Sequence, residues 1–170
     1  MMNEKVLAAL NEQFTRELFS SNLYLAMSSY FSEKNLNGFA NWMRVQAKEE
    51  MDHAMLIYDY IIQRGAKAVI SSIEKPKHEW ESTLDVISDT LVHEKYITQS
   101  INELNGLAIQ EMDYATTNFL QWFIKEQVEE EANVSDLKAR LELSNNHHGP
   151  LFMLDNELKA RVYVPHTITA

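Results

Sequence analysis

The sequence predicts an all-α protein: a four-helix bundle with one long crossover and a short fifth, C-terminal helix. Three observations carry this. Only four Gly and three Pro interrupt 170 residues, and abundant Leu, Glu, Ala, Met and Lys favour long helices. Four segments place apolar residues at alternating spacings of three and four, which lines them along one face of a helix. The breaks between these segments are short, long and short.

The first seam reads Leu7, Leu10, Phe14, Glu17, Ser21, Tyr24, Ser28, Phe31. It predicts a helix from about Asn3 to Lys34, broken by Asn35-Leu36-Asn37-Gly38. The second, Phe39, Met43, Gln46, Glu50, His53, Ile57, Tyr60, predicts a helix from Phe39 to Arg64 with Gly65 as its stop. Residues Ala66 to Glu79, with Pro76, lack helical periodicity. The third seam is Leu84, Ile87, Leu91, Glu94, Thr98, Ile101, in a helix from Glu81 or Ser82 to Asn105-Gly106. The fourth is Leu120, Phe123, Gln127, Glu130, Val134, Leu137, Leu141, in a helix from Asp113 to Ser144 closed by Asn145-Asn146 and Gly149-Pro150. A short helix from Pro150 to Lys159 uses proline's tolerance of a first turn, and the β-branched tail from Arg161 is expected to be extended.

Short breaks make antiparallel hairpins of the first and second pairs. The middle connection, roughly 14 residues, reaches about 45–50 Å at ~3.3–3.6 Å per residue. A helix of about 27 residues is ~40 Å long, so this connection can run the bundle's length and leave the third helix parallel to the second. The expectation is one domain over 1–170, with the bundle at about 3–144, the fifth helix at about 150–159 and a tail at 160–170.

Composition excludes several classes. No cysteine is present, which removes disulfides, thiolate zinc sites and cysteine-held iron–sulfur clusters. No apolar run reaches the eighteen residues of a membrane span, and the N-terminus Met1-Met2-Asn3-Glu4-Lys5 has no export signal, so a cytoplasmic location is expected. A net charge of −10 argues against nucleic acid and suits a protein that attracts cations, although charge alone favours a plain solvated acidic surface.

Each seam also carries polar residues at mid-height. Counting from the turns at ~1.5 Å per residue, Glu17, Glu50, His53, Glu94, Gln127 and Glu130 fall in one central band. Four carboxylates and an imidazole in a core cost several kcal/mol per unpaired charge, and a cation relieves that cost. Glu50-x-x-His53 is a weak motif alone; its place on an apolar seam opposite three other glutamates makes it a ligand pair. Glu17, Glu50 and His53 can hold one ion, and Glu94 and Glu130 a second, with Glu50 bridging. Oxygen and imidazole ligands suit iron, manganese or magnesium. Two adjacent Fe²⁺ ions can each give O₂ one electron.

From about Val6 to Lys159 the chain closely resembles the bacterial non-haem ferritins. Lys125-Glu126-Gln127-Val128-Glu129-Glu130-Glu131 is its most specific segment. Symmetric di-iron bundles carry a second Glu-x-x-His; Gln127-x-x-Glu130 stands here instead, which is similar to ferritins rather than bacterioferritins. The resemblance implies that Glu17, Glu50 and His53 bind the first ferroxidase iron and Glu50, Glu94 and Glu130 the second, with Gln127 and Tyr24 beside them. It also raises Glu49, Glu126 and Glu129, with Glu130, to an additional iron site; spacing alone reads those three as a solvated acidic face. Met51 stands where bacterioferritins place a haem ligand and is read as a packing residue, with no haem expected. Trp122 is likewise read as packing, and His147 and His148 as loop histidines.

The resemblance further implies an iron-storing ferroxidase that oxidises Fe²⁺ with O₂ or H₂O₂ and stores ferric mineral in a 24-subunit cage, the fifth helix at its fourfold axes. The competing readings are a soluble di-iron oxidase or peroxidase of the same fold and a helical interaction module with polar specificity residues. The missing cysteine-held electron donor counts against the first, and five ligand-type residues at one level against the second.

Overall fold

The computed structural model describes residues 2–144 and 147–168, so Asn145-Asn146, assigned to the close of the fourth helix, lie outside the described residues. The described residues form five helices: α1 (Glu4–Glu33), α2 (Asn37–Gln63), α3 (Thr83–Gln110), α4 (Tyr114–Ser144) and α5 (His148–Leu158). Among them no helix is long and apolar enough to cross a membrane.

Local chemistry sets the helix ends. Asn3 caps α1 by accepting from the Lys5 amide at 2.8 Å, and Ser82 caps α3 by accepting from Asp85 N at 3.1 Å, each satisfying a first-turn donor that has no partner within the helix. Helices α1, α2 and α3 all stop on a left-handed residue, Asn35 (φ 60°), Gly65 (φ 72°) and Met112 (φ 54°). The next amide reaches back to close the end: Leu36 to Phe31 O, Ala66 to Ile61 O and Asp113 to Ala108 O.

Several boundaries differ from expectation; α5 begins at His148, so Gly149-Pro150, expected to close the fourth helix, lie in the first turn of the fifth. Helix α3 runs through Asn105-Gly106 to Gln110. A single interior glycine costs only about 1 kcal/mol, which the burial of Leu104 and Ala108 outweighs. Met112 makes the stop instead, and Asp113 at once caps α4 through Thr116 N at 3.2 Å. Gly38 is no breaker either: it lies inside the first turn of α2.

The hydrogen bonds define the topology. Ser21 and Ser28 of α1 donate to Ala47 O and Ala40 O of α2, so the pair is antiparallel. Ser20 meets His93, and Gln13 meets Ser100, so α1 is antiparallel to α3 as well, leaving α2 and α3 parallel. The connection between them climbs along α1: Val69 N donates to Asn11 Oδ1 at 2.6 Å, and the buried Trp80 packs edge-on against Tyr30 at 5.5 Å. Helix α4 returns antiparallel to α2, with Tyr60 meeting Thr116 and Gln46 meeting Glu130. Two apolar clusters fill the ends of the bundle, one around Met27, Phe31, Phe39 and Val134, the other around Leu10, Phe14, Ile57 and Phe123. The polar band lies between them.

Candidate metal centre

Every mid-seam residue of that band is buried. Glu17, Glu50, His53, Glu94, Gln127 and Glu130 are each 4% exposed or less, because the long helices place them far from either end. The ligand atoms of Glu17, Glu50 and His53 lie within 4.8 Å of one another, with His53 Nδ1 3.4 Å from Glu50 Oε2. That is the spread a single ion can draw together.

Amides and one phenol orient the carboxylates. Gln13 Nε2 donates to Glu17 Oε1 at 2.7 Å, and Gln46 Nε2 to Glu130 Oε2 at 2.8 Å. Glu94 accepts from Tyr24 on one oxygen and from Gln127 Nε2, at 3.0 Å, on the other. Gln13 and Gln46 received no role from sequence. For Gln13 the signal was spacing, since it sits one turn before Glu17 on the same helix; Gln46 reaches across to Glu130 of α4, a pairing that only the fold creates. Such supporting partners orient the groups that face an ion.

Burial pushes Glu17 up to about 8, reinforced by the Glu50 carboxylate. It pushes Glu130 up to about 7, with Glu94 adding to it. Glu50 is raised well above the ordinary carboxylate range by burial and by Glu94 and Glu130, and Glu94 is raised by burial. Tyr24 is raised too, by burial and by Glu94, so its hydroxyl keeps its proton and donates. Glu17 Oε2 and Gln46 Oε1 are buried acceptors with no donor. A cation would answer the carboxylate crowding and the orphaned Glu17 oxygen together: it replaces protons on the carboxylates and gives Glu17 Oε2 a partner.

The three glutamates of the additional site are not drawn together. Glu49 is buried and held by Arg161 at 2.6 Å, Glu126 faces His166 at 3.7 Å, and Glu129 is exposed beside Lys125. Met51 is exposed. Trp122 packs edge-on against His53 at 5.4 Å. His147 and His148 lie exposed at the start of α5, remote from the band in sequence and fold.

A family model, the ferritin-like domain, matches residues 7–144. A bacterial non-heme ferritin of Staphylococcus epidermidis is 40% identical over 163 residues, 96% of this chain and 98% of its own. The chain belongs to the ferritin family. A probable bacterial non-heme ferritin-like protein of Haemophilus influenzae is 42% identical over 93% of this chain and 96% of its own. Among solved structures, an engineered closed form of the Archaeoglobus fulgidus ferritin is 43% identical with a TM-score of 0.95, covering 96% of this chain and all of that one. A humanized archaeal ferritin is 45% identical with a TM-score of 0.96, covering 97% of this chain and all of that one. At 96% and 97% coverage of this chain, the likeness to these structures reaches beyond the bundle into α5.

Proposed function

We propose that this chain stores iron: it takes two Fe²⁺ ions per subunit as substrate into the central band, oxidises them with O₂ or H₂O₂, and keeps the ferric product as mineral inside a protein cage. The single observation that carries this reading is the trio Glu17, Glu50 and His53, with ligand atoms within 4.8 Å of one another, buried between two apolar clusters. Glu17, Glu50 and His53 take the first ion; Glu50, Glu94 and Glu130 take the second. Each Fe²⁺ gives up one electron, so two ions and two protons convert one O₂ to H₂O₂, or one H₂O₂ to two waters. Hard, anionic oxygen ligands stabilise the higher charge and so favour oxidation. Gln127 and Tyr24 keep Glu94 aimed at the second ion.

The dry surroundings make the carboxylates effective. In a low-dielectric core their attraction for an incoming dication is far stronger than in water, and binding expels the protons that burial had retained. Glu49, Glu126 and Glu129, with Glu130, are proposed to take an additional ion, for which Glu49 must exchange Arg161 for the metal.

Storage needs an enclosure that one bundle cannot supply. A 24-subunit cage with α5 at the fourfold axes fits the membership in the family and the solvent-facing Leu143, Phe152 and Met153, large apolar side chains of the kind subunit contacts cover.

The test is aerobic Fe²⁺ loading with oxygen uptake, retained iron and sedimentation measured together. Storage predicts a large assembly that retains far more iron than its binding sites can hold. The double substitution Glu17→Ala with Glu50→Ala is expected to abolish rapid oxygen uptake. A small species that consumes oxygen yet releases all its iron would replace storage by the oxidase reading.

A further inference from the structure

The segment after α5 is a docked strap, and it brings a second imidazole to the candidate centre. Arg161 stacks over Trp42 at 4.7 Å while its guanidinium binds Glu49. Asp52 accepts from the Tyr163 hydroxyl at 2.7 Å and from the His166 amide at 2.9 Å. These contacts leave the His166 ring stacked on His53, centroids 5.2 Å apart and planes 15° from parallel. Trp122 packs edge-on against both rings.

His53 Nε2 and His166 Nδ1 are 3.0 Å apart, and one ligand atom from each of His53, His166 and Glu126 lies within 4.8 Å of the others. Ligands at ~2.0–2.1 Å around a tetrahedral ion stand roughly 3.3–3.4 Å apart, so small side-chain shifts close this trio on a metal. His53 is buried, whereas Glu126 and His166 are each 20% exposed at the side chain. The trio is thus the solvent-side neighbour of the buried one.

We propose that His53, Glu126 and His166 form a second cation station for a divalent transition-metal ion, loaded in alternation with the Glu17–Glu50–His53 station. The inference rests on the reading of that inner trio as a metal site. Two nitrogens and one oxygen suit borderline ions such as Fe²⁺ or Zn²⁺ better than Mg²⁺ or Ca²⁺. Alternation follows from the one imidazole the stations share. A neutral imidazole has one lone pair and one N–H. His53 turns Nδ1 towards Glu50 and Nε2 towards His166. An ion on Nε2 leaves the proton on Nδ1, donated towards Glu50; an ion on Nδ1 leaves it on Nε2, donated to His166. Passing the ion inwards therefore makes His53 release its proton at Nδ1 and take one up at Nε2, which leaves the charge of the ring itself unchanged. The outer station receives an ion from solvent and hands it to the carboxylates.

Zn²⁺-soaked crystals read by anomalous scattering, with Co²⁺ titration of the assembled protein in parallel, test this. In Glu17→Gln with Glu50→Gln, the inner station loses its charge and one ion is expected bound by His53, Glu126 and His166. Adding His166→Ala to that background should weaken Co²⁺ binding at least about tenfold and remove the ion. His166→Ala alone should keep the inner ion. An ion that does not touch His166, no ion at all, or Co²⁺ affinity unchanged by His166→Ala overturns the proposal. Wild-type Fe²⁺ oxidation, measured alongside, separates the two readings: its loss with the outer ion intact overturns the ferroxidase reading alone.

Discussion

Asp155 accepts the backbone amide of Gly38 at 2.7 Å, joining the fifth helix to the first turn of the second. The same oxygen accepts from Phe39 N at 3.1 Å. A buried carboxylate thus occupies the positive end of α2, doing from another helix what a capping residue does locally. Leu36, the residue in the capping position, has no side chain able to do so.

That contact needs a hydrogen at position 38. A Cβ on Gly38 would lie 1.6 Å from the Asp155 carbonyl oxygen, so Gly38→Ala must displace α5. The expected loss is several kcal/mol in urea unfolding, beyond the ordinary range for a glycine replaced on a helix. Asp155→Ala, which removes the cap without a clash, should cost about 1–2 kcal/mol. Equal and small losses in the two variants would refute the close approach.

Without metal, the central glutamates make stability fall as pH rises. Glu17 and Glu130 are raised in the folded chain to about 8 and about 7, above ~4.3 in an unfolded one. The folded state therefore binds more protons between these values. Their contribution is fully present below the unfolded value and lost as pH climbs towards 8. The melting temperature of chelator-treated protein should drop from pH 5 to pH 8 relative to Glu17→Gln with Glu130→Gln, in which that slope is reduced. Saturating Zn²⁺ should reverse the trend, because the ion binds the deprotonated carboxylates.

Tyr24 donates to Glu94 from a fully buried position. Tyr24→Phe leaves Glu94 with Gln127 as its remaining side-chain donor, so the carboxylate loses its aim but keeps its charge. Fe²⁺ oxidation is expected to slow about tenfold while the number of ions bound per subunit is unchanged. A fall in stoichiometry instead would make Tyr24 part of the binding set.

Arg64 and Asp113 tie the end of α2 to the start of α4 through a two-pronged pair at 3.0 and 3.2 Å. Asp113 also accepts from Thr116 N and Oγ1. Asp113→Ala removes a cap and half of a fork-shaped ion pair together. A loss of about 2–3 kcal/mol in urea unfolding is expected; Arg64→Ala should cost less, because it spares the cap.

Much of this architecture was readable in the chain. The three-and-four spacing marked which face of each helix is buried, and it did so for Glu17, Glu50, His53, Glu94 and Glu130 as reliably as for leucine. Burial depends on angular position along the helix, whatever the side chain. The length of the stretch between Gly65 and Ser82 already allowed a parallel third helix. Glycine was the weaker guide. Gly106 passes through α3 while Met112 ends it, because a left-handed stop is set by what the next segment must reach, here Asp113 at the head of α4.

Sequence alone therefore determined the helices, their inward faces and the level at which acidic residues meet, since all three follow from periodicity and chain length. Tertiary structure decided which partners meet across distance: Asp155 with Gly38, Arg161 with Glu49, and His166 with His53. Those pairings join α5 or the tail to residues more than a hundred positions earlier. No local pattern encodes them; they exist because the fold lays α5 and the strap against α2.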